Sequence, residues 1–230
     1  MYSQIPKVMK KILSFFTISC VLVINVFAFT QYPNILYYQG KEYTLHSNPL
    51  DPYFELYPEK SLKELMSANA ALKGYIASFE IVDTQMFLKD IEIEIERPDS
   101  LRMYDNRWES VINIVFPEQN NIKTAWFSGI LVLSNEKSSN NVESDSGTVF
   151  NKYIIIEVEN GNFTIEKRFN RAEYDKFKKE QFLLFKKTEE YQKIIADLNR
   201  TGRYTQKILD AFIENYVTDY ISKILVDLNE

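Results

Sequence analysis

Apolar and polar positions divide the chain into a β-rich body followed by a helical end. Ala71 to Val82 and Phe87 to Ile95 form the clearest strand pair, turning at Asp83-Thr84-Gln85. In the second strand Ile91, Ile93 and Ile95 alternate with Asp90, Glu92, Glu94 and Glu96, so one face is buried and the other wet. Ile35 to Tyr38, Gln39-Gly40 and Lys41 to Leu45 predict a hairpin, because Gly40 supplies the positive φ of a tight turn. Tyr153 to Val158, Asn160-Gly161 and Phe163 to Arg168 predict another, since Asn-Gly suits a type I′ turn.

Between these hairpins the pattern is less regular. Ser47 to Pro52 carries two prolines and an Asn and reads as a rigid loop, pinned by Tyr53, Phe54, Leu56 and Tyr57. Ser61 to Ser67 and Trp108 to Val115 are expected to form short helices. Lys123 to Leu133 reads as a mostly buried central strand, and Ser134 to Gly147 as a polar loop.

From Arg171 the period changes to that of a helix. Phe177, Leu184, Tyr191 and Leu198 are seven apart, although Gln181 and Thr188 interrupt the neighbouring stripe. Asn199 to Gly202 breaks the helix. A second runs from Thr205 to Leu228, where Ile208, Phe212, Tyr216, Tyr220, Ile224 and Leu228 recur every four residues. Leu209, Ile213, Val217, Ile221 and Leu225 add a parallel row, and the wide stripe predicts a helix packed on the sheet or on its neighbour. There is no internal repeat and no linker. The expected fold is one α+β domain, a largely antiparallel sheet built from hairpins with two C-terminal helices packed on it.

The N-terminus adds a destination. Lys7, Lys10 and Lys11 precede an uncharged apolar run, Ile12 to Phe29, with Val26-x-Ala28 as a small-residue cleavage site. This predicts a signal peptide over residues 1–28, a domain over 29–230, and export to the periplasm or outside the cell. The rival readings are an uncleaved membrane anchor through residues 12–29 and a lipoprotein acylated at Cys20. Thr17-Ile18-Ser19-Cys20 is a poor version of that second signal.

Composition narrows the chemistry. Without residues 1–28 the chain has 24 basic and 32 acidic residues, a net charge of −8, which argues against nucleic acid as the main partner. Cys20 is the only cysteine, so the expected mature chain has no disulfide, no thiol catalysis and no cysteine-ligated metal. No Gly-rich phosphate loop, His-Glu-x-x-His motif or acidic calcium loop occurs, and neither cofactor nor metal is expected. Lys176, Lys178, Lys179, Lys186, Lys187 and Lys193 mix with Glu173, Glu180, Glu189 and Glu190, the pattern of a salt-bridged helix face.

Two constellations bear on catalysis. His46, the only histidine, has no second histidine for a metal site and no serine in a nucleophile-elbow context. Asp90, Glu92 and Glu94 lie about 6.6 Å apart along a strand, a spacing that inverting glycosidases use and that any solvated strand face shares. The chain is also rich in rings, with 15 Tyr, 16 Phe and 2 Trp. Tyr37, Tyr43, Tyr53 and Trp126, with His46, Asp90, Glu92 and Glu94, are the candidate binding residues.

Four stretches carry a resemblance. They are Tyr38 to Tyr43 running to Asn48 to Phe54, Gly74 to Ile81 with Lys89-Asp90-Ile91, Trp126 to Gly129, and Tyr174 to Tyr191. Together they resemble a group of exported bacterial proteins with no known activity, over most of the expected mature chain. The resemblance implies export and a single fold unit, and no reaction. In that group a His and a Gly-Tyr-Gly often occur in the loop before the strand at Tyr153. Here the loop reads Val142 to Gly147, so a site built on that histidine would be missing.

The favoured function is a non-enzymatic binding module of the cell envelope, whose partner is another protein or an envelope component. One form of it is an immunity-type protein that neutralises a toxin by charge complementarity. The alternatives are a carboxylate-based glycan hydrolase, which needs a cleft with two facing acids, and a membrane-tethered scaffold.

Overall fold

In the computed structural model, which describes residues 33–62, 74–95, 107–134, 150–200 and 202–226, the chain is α+β. The expected leader, the loop before Tyr153 and most of the expected helix at Ser61 to Ser67 lie outside the described residues. The strands are β1 (Asn34–Tyr38), β2 (Lys41–Leu45), β3 (Tyr75–Val82), β4 (Gln85–Ile95), β5 (Arg107–Ser110), β6 (Ile122–Lys123), β7 (Gly129–Ser134), β8 (Lys152–Glu159) and β9 (Asn162–Asn170). Short helices α1 (Asp51–Leu56) and α2 (Ile112–Val115) interrupt them. Helices α3 (Arg171–Phe185), α4 (Glu189–Leu198), α5 (Gln206–Asn215) and the single turn α6 (Val217–Tyr220) follow.

The sheet closes on itself. Seven strands run in the order β3-β1-β2-β7-β8-β9-β4, β4 returns to β3, and β5 and β6 add to β4 from outside the ring. All neighbours are antiparallel except β1 and β3. Closure removes the exposed edges of an open sheet. Inward side chains fill the ring: Leu36, Leu45, Phe79, Met86, Ile91, Leu131, Leu133 and Ile156 are all buried.

The seam between β4 and β9 is narrow, a single register pair of Gln85 and Asn162. Tight turns reinforce it. Met86 N–H donates to Gly161 O at 2.9 Å, Phe163 N–H to Thr84 O at 2.8 Å, and Gly161 N–H to Phe127 O at 2.9 Å. Asn160 and Gly161 have φ of 49° and 72°, the positive pair of a type I′ turn. Gln39 and Gly40 repeat that geometry between β1 and β2, with φ of 51° and 71°.

The central strand expected over Lys123 to Leu133 is two strands. Thr124 N–H and its side-chain hydroxyl both bond Met86 O, so the chain turns there before β7 begins at Gly129. The helix expected from Trp108 to Val115 is split as well. Residues 107–110 pair with β4, and only Ile112–Val115 is helical. The rigid loop at Ser47 to Pro52 feeds straight into α1, with proline in the first turn, where no N–H is needed. Tyr53 is buried and Leu56 faces solvent, while Tyr57, half exposed, lays its ring against Tyr53 at 4.9 Å.

Two long C-terminal helices are also not what forms. Lys186-Lys187 ends α3, and the Thr188 hydroxyl accepts from Tyr191 N–H to start α4. Gln181 breaks the apolar stripe for a reason: its buried amide bonds both Leu225 N–H and Leu225 O, holding the segment after α6. That segment leaves the helix at Ile221, whose backbone is extended. The helices cover the outer face of β7 and β8, where Ile130, Val132 and Ile155 meet Phe177, Phe185, Ile213 and Val217. Asp210 locks α5 down. It accepts from Lys186 Nζ at 2.7 Å, from the Tyr191 hydroxyl and from Gln206 Nε2 at 2.8 Å. Burial pushes its carboxyl up, but these donors outweigh burial and hold the pKa below the usual value.

The seam makes a prediction. A Cβ on Gly161 would lie 2.7 Å from Thr124 O in a left-handed conformation, whereas one on Gly40, equally left-handed, would meet nothing. Gly161→Ala should cost about 2–4 kcal/mol and Gly40→Ala about 1–2 kcal/mol in denaturant unfolding. Equal losses would mean that the contact at the seam is not rigid.

Candidate functional site

The candidate residues read from the sequence do not form one site. Tyr37 lies on the outer wall, 40% exposed. Burial, then the neighbouring Glu42 and Glu92 carboxylates, raise its pKa. Tyr43 is buried on the opposite, inward side. Tyr53 sits amid rings, 4.6 Å from Phe116 and 4.8 Å from Trp126 between centroids. Trp126 stacks on Phe116 and donates its indole N–H to Pro49 O at 2.9 Å. These rings fasten α1 and the loop before β7 to the barrel.

The acidic row stands on the outer face of β4. Asp90 accepts from the Ser110 hydroxyl at 2.6 Å and from Ile91 N–H at 2.8 Å. Glu92 and Glu94 pair in register with Ser110 and Trp108 of β5. None of these three acids lines any of the three cavities described below.

His46 follows β2, and its Nε2 lies 2.7 Å from Ser134 Oγ at the end of β7. Ser134 is 1% exposed, and it also borders the first cavity described below. The Phe150 ring meets the imidazole edge-on at 5.2 Å. Although part of the residue faces solvent, the protein packed around the ring lowers its pKa and keeps it neutral near pH 7. The pair acts as a pin between β2 and β7.

Three concave sites stand out among the described residues. A cavity of about 400 Å³ is lined by Lys41 and Tyr43 of β2, Lys152 of β8, Arg168 of β9, Glu173 of α3 and Ser134 at the end of β7. Arg168 there is held by Glu166 at 2.5 Å and by Gln39 at 3.1 Å. Glu166 also accepts from the Tyr38 hydroxyl at 2.6 Å, and burial with this bond pushes Tyr38 up to about 12. A polar hollow of about 440 Å³, lined by Asn113, Asn120 and Asn121, lies beside β4. The third, about 430 Å³, lies between α1, β7 and α6 and is lined by Asp51, Glu55, Glu190 and Asp219 with no Lys, Arg or His. Among the described residues no group of three or more metal-ligating side chains could hold an ion. No helix there is long and apolar enough to cross a membrane.

The most unusual surface is on α5. Its buried side is the row Leu209, Ile213 and then Val217. The other predicted row divides: Ile208 is 54% exposed, Phe212 44% and Tyr216 50%, whereas Ile224 is buried and Tyr220 packs against the helical core; Tyr204, just before α5, is 51% exposed. The Phe212 and Tyr216 rings pack on each other at 5.0 Å. Ile208 and Phe212 share one face of α5, with Tyr216 at its C-cap and Tyr204 before its N-cap, an exposed apolar strip of the kind a helix presents to a groove or to another helix. The sequence carried this signal in the excess width of the stripe, two rows where one suffices to hold a helix down.

Asp219 supplies a pH test. Burial and then Asp51 raise its pKa from 3.8 to about 6, although part of the residue faces solvent. The native state therefore keeps a proton that the unfolded chain releases, and stability falls as pH rises from about 4 to about 6. Asp219→Asn removes that penalty. It should raise the melting temperature at about pH 7.5 and leave it unchanged near pH 4. A variant that melts like the parent at both values would show that the carboxyl is fully hydrated.

Compared with known proteins, the chain matches no protein-family model, no curated protein and no solved structure.

Proposed function

We propose that this protein is an exported, non-enzymatic interaction module that docks another polypeptide through the outer face of α5. The carrying observation is the exposed pair Ile208 and Phe212 on α5, flanked by exposed Tyr204 before the helix and Tyr216 at its C-cap, while Leu209 and Ile213 hold the inner side. Exposing four such residues raises the free energy of the isolated chain in water, and a partner recovers it by covering them. The placement is also rigid, because Asp210 ties α5 to Lys186 of the α3–α4 break and to Tyr191 of α4. A preorganised face loses little entropy on binding. Export rests on the N-terminal basic and apolar segment.

A hydrolase on the β4 acids has less support. Those carboxylates stand on the outer wall, bonded within the sheet or beside β5, and line none of the described cavities.

A photoreactive benzoylphenylalanine in place of Phe212 tests the docking reading in cells that express the full chain. The expected result is one discrete polypeptide adduct. It should vanish when Ile208→Asp is added, while Ile208→Asp alone melts at or above the parent temperature. The control position is Ile114 on α2, which is 58% exposed without a ridge around it. No adduct at position 212, or the same adducts at 114 and 212, would sink the proposal.

A further inference from the structure

We infer that the cavity at one end of the barrel binds an acidic monosaccharide, a sugar that carries a carboxylate or a phosphate. The site is separate from α5, none of whose residues lines it. Its place follows from strand direction. β2 and β8 both run antiparallel to β7, so they start at the same end of the ring, and β9, antiparallel to β8, finishes there. The inward positions at that end are Lys41, Lys152 and Arg168. Lys41 pairs with Tyr38 and Arg168 with Ile154, both members of the barrel core, and Lys152 is two residues from Ile154 on the same side. Three strands thus each bring a cation to the mouth, in a chain whose residues 29–230 hold more acids than bases.

The acids nearby are already engaged. Glu173 accepts from Asn170 N–H in the capping box of α3. Glu166 accepts from the Tyr38 hydroxyl at 2.6 Å and from Arg168 Nε at 2.5 Å. Among the described residues Glu166 and Gln39 take up two of the five guanidinium donors, which fixes the Arg168 fork and leaves three for a ligand. Lys41 makes no ion pair among the described residues. A carboxylate or phosphate is the group that suits an Arg fork beside an ammonium. The rest of the lining sets the body of the ligand. Tyr43 and Ile154 come next inward and are buried, and beyond them Leu45 and Ile156 fill the barrel, so a long acyl chain has nowhere to go. Tyr153 and Phe169 also border the cavity, their rings fixed by stacking on Tyr174 at 4.3 Å and Phe177 at 5.0 Å. Asn170 spends its Oδ1 on the helix cap and keeps its amide N–H groups for a hydroxyl. Fixed rings, an amide and cations around a short hollow of about 400 Å³ at a barrel mouth suit a hydroxylated ring with one charged group.

The test is isothermal titration calorimetry of the expressed protein as the cell processes it, with glucuronate, glucose 6-phosphate, glucose and inorganic phosphate as probes. The expected result is one site filled by glucuronate or by glucose 6-phosphate, with glucose and inorganic phosphate weaker by about tenfold or more. Preference for glucuronate assigns the carboxylate, and preference for glucose 6-phosphate the phosphate. Lys41→Gln and Arg168→Gln should each weaken binding about tenfold, the loss of one charge-assisted hydrogen bond. Lys207→Gln on α5 should change nothing. Lys41→Gln breaks no ion pair and should melt at the parent temperature, so its lost binding is not lost folding. If neither acidic sugar binds at about 10 mM, the inference is overturned. Glucose binding as tightly as the acidic sugars removes the role of charge, and inorganic phosphate binding as tightly removes the sugar. Affinity indifferent to both Lys41→Gln and Arg168→Gln overturns the placement of the site. The docking reading of α5 stands or falls separately, on the adduct at position 212.

Discussion

Strand β7 is the constraint on which the rest of the molecule depends. All six of its residues are buried, and they serve two cores at once. Leu131 and Leu133 face the barrel interior, whereas Ile130 and Val132 face the helices. A strand covered on both sides is apolar along its length, and Gly129 to Leu133 meets this demand, while the buried hydroxyl of Ser134 is satisfied by His46. Each buried aliphatic side chain contributes about 1.5–3 kcal/mol relative to exposure, so the barrel and the helical layer are stabilised through one shared element. Where β2 leaves its pairing with β7, Ser47 takes over. Its hydroxyl donates to Ile130 O at 2.8 Å and accepts from Val132 N–H at 3.0 Å. Asn34 extends the join to β1 and β3, since its amide accepts from Ala77 N–H and donates to Ser47 O. No buried side-chain polar atom among the described residues lacks a partner.

What the sequence makes legible is local. The alternation along Asp90 to Ile95 places Ile91 and Ile93 in the core and the acids outside, because period 2 needs only neighbouring residues. Positive φ at Asn160-Gly161 follows from the dipeptide itself. Closure of the ring is not local. It depends on a parallel join of β1 to β3 and on one pair between residues 85 and 162, contacts that no periodicity encodes. Splitting of the long strand at Thr124 is equally remote in origin, since Met86 O captures Thr124 from 38 residues away.

The candidate site was legible as composition and not as arrangement. Tyr53 and Trp126 come together, but as packing for α1, and Tyr37 and Tyr43 face opposite sides of one wall. Ring counts cannot separate a core from a platform, because both bury apolar area. The α5 ridge is the reverse case. Ile208, Phe212 and Tyr216 read as part of a helical row that runs on to Ile224, yet only the later members, Tyr220 and Ile224, join the interior. A helix has room for one buried face against a single neighbouring layer, so a second full row has to find its own cover.

That excess bears on why α5 is tied down by polar contacts rather than by more burial. Its inner side offers only Leu209 and Ile213 as fully buried apolar residues within the helix, a thin hold for ten residues. The group of Asp210, Lys186, Tyr191 and Gln206 adds directional bonds where apolar area is short. Hydrogen bonds to a charged acceptor are the stronger class, about 1.5–3 kcal/mol each, and they fix rotation about the helix axis as burial alone does not. Rotating α5 by one residue would bury Ile208 or Phe212 at the expense of Asp210. The carboxylate anchor forbids that exchange. The same anchor that compensates for a thin inner contact therefore holds the apolar ridge outward, and stability of the layer and exposure of the face have one physical cause.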